Sequence, residues 1–586
     1  MKLTRSFFLI IGLNVLLLAF ISFKPDKRTL EENPNQINSG PNFYGHKQKP
    51  YSPYEFINPP VAALVLKQLD VYEPMSPSYL KNLINYDEPR LSLTQNDHYC
   101  DAHREYFVEN TSQFFEERFN FFTDYVDNSL TRDKVLRVIG NDMHPHLSAS
   151  MPKKYQGRRI FDLSPAINIF NAAFNMPAFQ HLGKHFSCLT QSSNRVPGVA
   201  VINRKDWVAA SAIAYAERFK DRTHCFSFDK FFPQTWILAE KDQCEEFFRI
   251  FNSKEYKKLK KERTIVYISK IGAGSHRGEG VQPVDDQEEE KLKAYYKNGA
   301  LCGKQKRNII IQHYIHNPLL LNGHKFDFRM YMMIASTNPL IAFYHDGFLR
   351  VSLHQYNVSS GDKGTLLTNT ALSATAFDIA KSNGTFMGMD EEELRNFQMW
   401  NFEELEEYII STGKSNDTNW LDNFLRPQFK KAMVHLIRMS QDSYLKRSTL
   451  YELFGVDFMI DENLNLWFIE CNSGPVLRGS SEEKERFLTK MLRDQLEIVL
   501  GLMRSRVKRI ITFVNKLIEE NQIYKLSAKE IYVLNLEQRR AEFAEITKNW
   551  FEPEFMPSPT NGFKKIIDDN LNGVERYSGL LSPECF

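Results

Sequence analysis

The sequence predicts a fold of mixed helices and strands, on three observations. An apolar hairpin carries carboxylates near its open end, strand-like runs put charge beside a glycine-rich segment, and apolar spacing after residue 480 is helical. The hairpin lies in YELFGVDFMIDENLNLWFIECNSGP, residues 451–475. Residues 454–460 and 466–471 are strand-like, and Asp461, Glu462, Asn463 and Asn465 crowd the turn between them. A turn centred near Asn463 and Leu464 sets Asp457 opposite Glu470, and the period of two puts Asn472 on the face of Glu470. Two carboxylates and an amide oxygen then converge, a hard-oxygen set suited to magnesium beside phosphates. Two plainer readings stand beside it: a solvated hairpin, or one carboxylate paired with a lysine.

Upstream, ERTIVYISK (262–270) is rich in β-branched and aromatic residues and reads as a strand. It ends at Lys270 and opens into Gly272, Gly274, Gly278 and Gly280, whose backbone can approach phosphate while Lys270 adds a point charge. The segment lacks the GK[ST] ending of a P-loop, so alone it is equally an ordinary flexible turn. Residues 308–315 and 325–336 read as further strands. In the second, Phe326, Phe328, Met330 and Met332 line a packing face, and Lys325, Asp327, Arg329 and Tyr331 a face that presents charge. The acidic-basic run 285–293 reads as a solvated loop. Ser480, Ser481, Glu482 and Glu483 resemble a capping box, and apolar residues at 488, 491, 492, 496, 499 and 502 continue as a helix.

The chain has 586 residues, enough for two to four domains, and 74 basic against 72 acidic residues. That balance excludes general nucleic-acid binding, which needs a basic excess. Seven cysteines without CxxC or zinc spacing point to reduced, buried thiols. Residues 1–23, with an apolar run at 7–23 behind Lys2 and Arg5, read as a signal-anchor helix, with the catalytic part in the cytosol. Residues 24–60 are a proline-rich linker, 61–145 a helical accessory region, and 506–586 a helical C-terminal extension. Asn-x-Ser/Thr triplets occur at Asn110, Asn357, Asn383 and Asn416.

A collinear set of segments carries a resemblance. NRVPG (194–198), NRKDW (203–207), FFPQTWIL (231–238), SKIGAGSHRGEGV (269–281), QHYIHNPLLLNGHKFDFRMYMMIAS (312–336), GFLR (347–350), LLTN (366–369) and the hairpin occur in order. Together they resemble the tubulin–tyrosine ligase-like family of ATP-grasp amino-acid ligases. The resemblance implies an α+β ATP-grasp fold over 146–505, with two α+β subdomains clamping ATP behind a smaller N-terminal domain. By position it implies nucleotide contacts at Lys270, Gly274, Gly278, Gly280, Gln312, Tyr314, Ile315, Lys325, Asp327, Thr368 and Asn369. It implies catalytic arginines at Arg329 and Arg350, and magnesium ligands at Asp457, Glu470 and Asn472. His313 and Leu366 depart from the usual lysine and histidine, and the connection from Gln355 to Asn369 is altered.

The implied cofactors are ATP and Mg2+. The implied reaction adds a free amino acid, glutamate or glycine, to a tubulin tail through an acyl phosphate, at the cytoskeleton or cilium. Basic groups that could meet an acidic tail are Lys257, Lys258, Lys260, Lys261 and Arg263, and the run Arg504, Arg506, Lys508 and Arg509. Two alternatives remain open: a non-catalytic ATP-grasp relic that docks on microtubules or membranes, and a lumenal peptide ligase with a non-tubulin acceptor.

Overall fold

The structure is a computed structural model. It describes residues 196–586 apart from 273–279, 304–308, 359–373, 478–480 and scattered positions, and before residue 196 only short pieces within 57–69, 121–124 and 169–172. Two antiparallel sheets and their helices make an α+β architecture.

The smaller sheet has four strands: β1 (Thr235–Ile237), β2 (Tyr267–Ile271), β3 (Val281–Pro283) and β4 (Ile309–His313), in the order β1-β4-β2-β3. Trp236, Tyr267 and Ile311 pack against α2 (Lys241–Phe251), α3 (Lys254–Glu262) and α4 (Asp286–Lys297). Helix α4 occupies the run read as a solvated loop. Asp285 caps it through the Glu288 N–H, Glu289 lies between Lys260 and Lys293, and Leu292 is buried. One inward leucine and a good cap suffice to hold a highly charged segment as a helix.

The larger sheet is built on β6 (His324–Thr337) and β7 (Leu340–Gln355), with β9 (Glu452–Ile460) and β10 (Leu466–Ser473) beyond β6. Its order is β8-β7-β6-β9-β10, with β8 being Met399–Trp400; β5 (Leu320–Leu321) pairs with β6, and β11 (Lys564–Asp568) pairs with β7. One face, with Phe328, Met330, Phe458 and Phe468, covers α5 (Phe402–Ser411) and α6 (Arg426–Arg438). The other, with Tyr331, Met333 and Phe343, covers α7 (Glu482–Glu520). The charged face of β6 therefore ends at Arg329, and from Tyr331 onward both faces are buried.

Helix α7 starts at the Ser481 cap, and Leu488, Met491, Leu492, Leu496, Val499 and Leu502 are all buried. At about 1.5–3 kcal/mol per buried apolar side chain, this stripe outweighs any surface ion pair along the helix. Beyond residue 505 the chain is helical in segments as far as Ile546, then returns as β11. Arg438 holds Asp569 with two hydrogen bonds, of 3.0 and 2.6 Å, which fixes that return against α6.

Two further expectations are corrected. Cysteines 225 and 585 form a disulfide, as do 244 and 302, leaving buried Cys471 as the free cysteine among the described residues. These pairs join positions 360 and 58 residues apart, which no local spacing pattern reveals. Peptide mapping without reductant is expected to recover both linked pairs, and Cys244→Ser to cost about 2–4 kcal/mol of stability. Free thiols at all four positions in unreduced protein would refute the pairing. The membrane-anchored localisation is also corrected: no helix among the described residues is long and apolar enough to cross a membrane. The apolar run 7–23 itself lies outside the described residues.

Candidate functional site

The facing ends of the two sheets bring most of the expected residues into one network. From the small sheet, β2 contributes Lys270 and β4 contributes Gln312, adjacent strands in register. Lys270 Nζ donates to Gln312 Oε1 at 2.6 Å, and Gln312 Nε2 donates to Thr235 Oγ1 at 2.8 Å, so the amide is oriented from both ends. Burial pulls the Lys270 ammonium down to about 8, helped by the like charge of Lys205 and opposed by Glu470. Gly280 closes the loop before β3 with φ +70, a left-handed conformation that glycine adopts without steric cost. Gly274 and Gly278 lie outside the described residues.

After β4, Tyr314 is buried and Ile315 half-buried. Lys325 Nζ donates to Tyr314 Oη at 3.2 Å and lies 4.9 Å from the centre of that ring. Burial brings Lys325 down to about 7 against the pull of Asp327, with Lys270 adding repulsion. Burial is the largest cause of both shifts, and the two lysines repel one another across the same end of the site.

On the large sheet, Asp327 of β6 faces Arg350 of β7 in register, and Arg350 Nε donates to Asp327 Oδ1 at 2.6 Å. Gly347, three residues before Arg350, permits the close β6–β7 approach: a Cβ there would lie 1.6 Å from the Arg329 carbonyl oxygen. Arg329 grips Asp457 through Nε at 2.6 Å and Nη2 at 3.0 Å, and Arg350 Nη2 reaches the same carboxylate at 2.9 Å. Burial opposes the Asp457 charge, but the two guanidiniums outweigh it and hold the carboxyl below the usual range.

In the hairpin Asp457 pairs with Glu470 in the ladder, and Gly455 with Asn472. The turn is built by Asp461, whose Oδ1 accepts from the Asn463 and Asn465 N–H groups, while Leu464 takes φ 64. Asn472 Nδ2 donates to Glu470 Oε1 at 3.1 Å, which turns nitrogen, not the amide oxygen, towards the carboxylate. Glu470 Oε2 lies 3.4 Å from Lys205 Nζ. One of the plainer sequence readings, a carboxylate paired with a lysine, is therefore present geometrically. Thr368 and Asn369 lie outside the described residues.

Lys205 is the residue that sequence reasoning missed. It opens α1 (Lys205–Arg218), and its backbone N–H donates to the Gly272 carbonyl at 3.0 Å, tying this helix to the glycine-rich loop. Asn203 Nδ2 donates to Ser473 Oγ, fixing the same segment to β10. The cavity between the sheets is lined by Lys205, Lys270, Gln312, Glu470, Cys471 and Phe232. The available signal was NRKDW, a lysine one residue inside a helix start. In the basic run at 504–509, Lys508 pairs with Glu554, and Arg509 donates to the Lys548 and Trp550 carbonyls.

A model of the tubulin-tyrosine ligase family matches residues 184–507. The chain is 29% identical over 294 residues to a Homo sapiens protein named inactive polyglycylase TTLL10, covering 48% of this chain and 40% of that one. It is 33% identical over 196 residues to tubulin glycylase 3A of Drosophila melanogaster, covering 33% and 18% respectively. It is 28% identical over 331 residues to Homo sapiens tubulin monoglutamylase TTLL4, covering 55% and 24%. The alignments thus span less than half the length of each of these relatives.

Proposed function

This chain belongs to the tubulin-tyrosine ligase family, and from that premise we propose that it is an ATP- and magnesium-dependent ligase. It joins glutamate or glycine to a carboxylate of a tubulin tail. The observation that carries this reading is the network in which Lys270, Lys325, Arg329 and Arg350 stand beside Asp457, Glu470 and Asn472 on the facing ends of two sheets. The names of the relatives, glycylases and a glutamylase, support the acceptor and the choice of amino acid.

The residue types fit magnesium, two carboxylates on paired strands and an amide whose oxygen is left over when its nitrogen donates to Glu470, but Asp457 joins the set only if its oxygens, held here by Arg329 and Arg350, are released to the ion. Asp457, Glu470 and Asn472 would hold the ion, which would supply neutralisation of phosphate charge. Lys270, oriented by Gln312, holds phosphate oxygens, and Tyr314 and Ile315 border the base. Arg329 and Arg350 are positioned by Asp457 and Asp327, ready to meet charge on the transferring phosphoryl group. The acceptor carboxylate attacks the γ-phosphorus, the bond to the bridging oxygen breaks and ADP leaves, forming an acyl phosphate. The α-amine of the incoming amino acid attacks the acyl carbon. Phosphate leaves and the amine loses a proton, so most of the catalysis is positioning and charge neutralisation.

Purified protein offered ATP, magnesium, polymerised tubulin and each labelled amino acid in turn tests this directly. A tail mass increased by glutamate or glycine is the expected product. ATP binding without any product would favour the non-catalytic reading, in line with the name of the human TTLL10 relative. The lysines add a pH signature. With Lys270 near 8 and Lys325 near 7, phosphate binding raises both, so ATP binding takes up protons and weakens as pH rises through about 8. Calorimetry at pH 8 in buffers of different ionisation enthalpy reads that uptake. Lys270→Met should lower it, and zero uptake in the unaltered protein would remove both lysines from the phosphates.

A further inference from the structure

We propose that the outer face of α3 docks a glutamate-rich segment of the acceptor polypeptide. Ser253 caps this helix, accepting from the Tyr256 N–H, and Tyr256 points inward onto Tyr267 with ring centres 5.6 Å apart. That packing fixes the rotation of the helix. Lys254, Lys257, Lys258 and Lys261 are then all exposed. Their spacing, i, i+3, i+4 and i+7, confines them to an arc of about 100° and a length of about 10 Å. Lys260 alone turns inward, where Asp286 at 2.5 Å and Glu289 take its charge. Among the described residues, none of the four outer lysines enters an ion pair.

The stripe sits on the nucleotide-carrying sheet. Helix α3 is followed in the chain by β2, whose fourth residue is Lys270, and the Arg263 charge is felt at His313, the last residue of β4, and at His316. In the other basic run, Lys508 and Arg509 are engaged with 548–554.

Charge complementarity selects the occupant. An extended peptide advances about 3.3 Å per residue, so three successive residues span the stripe and place alternate carboxylates over it. The outer arc holds no aromatic ring on which a base could stack and no apolar side chain to enter a bilayer, which disfavours nucleic acid and lipid. Lysines on flexible stems accommodate carboxylates of varied spacing without fixed bidentate geometry. This rests on the ligase reading only for the identity of the acceptor; the stripe itself stands on geometry.

The test uses the full chain and a fluorescent peptide of consecutive glutamates, with binding measured by anisotropy across ionic strength and ligation measured separately. Lys257→Glu, Lys258→Glu and Lys261→Glu combined are expected to weaken peptide binding at least tenfold and flatten its salt dependence. KM for the acceptor should rise while kcat and the melting temperature stay unchanged. A milder set, the same lysines changed to Gln, serves if the reversal impairs folding, and a peptide of glutamines should bind neither protein. Unaltered affinity and salt dependence in the variants would overturn the docking surface even if ligation proceeds. Binding that needs the stripe, with no ligation by the unaltered protein, would support the surface and sink the ligase reading.

Discussion

Glu470→Gln is expected to reduce ligation by at least about a hundredfold while leaving the thermal midpoint in place. The carboxylate is about a third exposed and its partners are Lys205 at 3.4 Å and the Asn472 amide. Exposed or half-exposed pairs of this kind contribute roughly 0–1 kcal/mol, and glutamine retains the shape and an oxygen for Asn472 to bond. Folding therefore loses little. The loss to chemistry is large because the same oxygens complete the donor set with Asp457 and Asn472, and an amide is a poorer magnesium ligand than a carboxylate. The Lys205 pairing decides what the result means. If Glu470 serves only to balance Lys205, the variant keeps its rate and Lys205→Met restores any lost stability. If it serves magnesium, the rate falls, and raised magnesium recovers part of it through the remaining ligands. Wild-type ligation by the variant would remove Glu470 from the metal set.

The extent to which this site could be read from sequence follows from the range of each signal. The hairpin register was legible because it is local: an apolar alternation interrupted by Asp461, Glu462, Asn463 and Asn465 leaves little choice of turn, and Asp457 meets Glu470 in the ladder. The long alternation in β6 was legible as a strand but not as one covered on both faces, since a period of two reports which residues share a side and not what lies above it. Tyr331 and Met333 are buried by α7, which begins some 150 residues later. The role of Lys205 depends on Glu470 lying across the cleft, a tertiary relation with no trace in spacing. The disulfides, the β11 return and the engagement of Lys508 and Arg509 with 548–554 are likewise long-range. The run at 285–293 misled for a different reason: its charge pattern is equally that of a capped helix with i,i+4 pairs, and only Leu292 marks the buried side.

Asp457→Ala is expected to behave in the opposite way to Glu470→Gln, costing about 3–5 kcal/mol of stability as well as activity. The carboxylate is 3% exposed and is the shared partner of two guanidiniums, from Arg329 at 2.6 Å and Arg350 at 2.9 Å. Deleting it strands two cations in a dry site, with Asp327, on Arg350, as the remaining acidic partner among the described residues. The cost is desolvation no longer offset, not the loss of one bond. The pH dependence supplies the sign. The folded-state pKa of Asp457 lies below its unfolded value of about 3.9, so its contribution is fully present above about pH 4 and is lost as pH falls through the folded value. Asp457→Asn should therefore destabilise the protein at pH 7 and flatten its acid-unfolding profile below pH 4. Arg329→Met combined with Asp457→Asn should cost less than the sum of the two, because the second change removes a charge that the first had stranded. Additive costs, or an acid limb as steep in Asp457→Asn as in the unaltered chain, would show that the arginines are held by other groups and that Asp457 is free to leave them when nucleotide arrives.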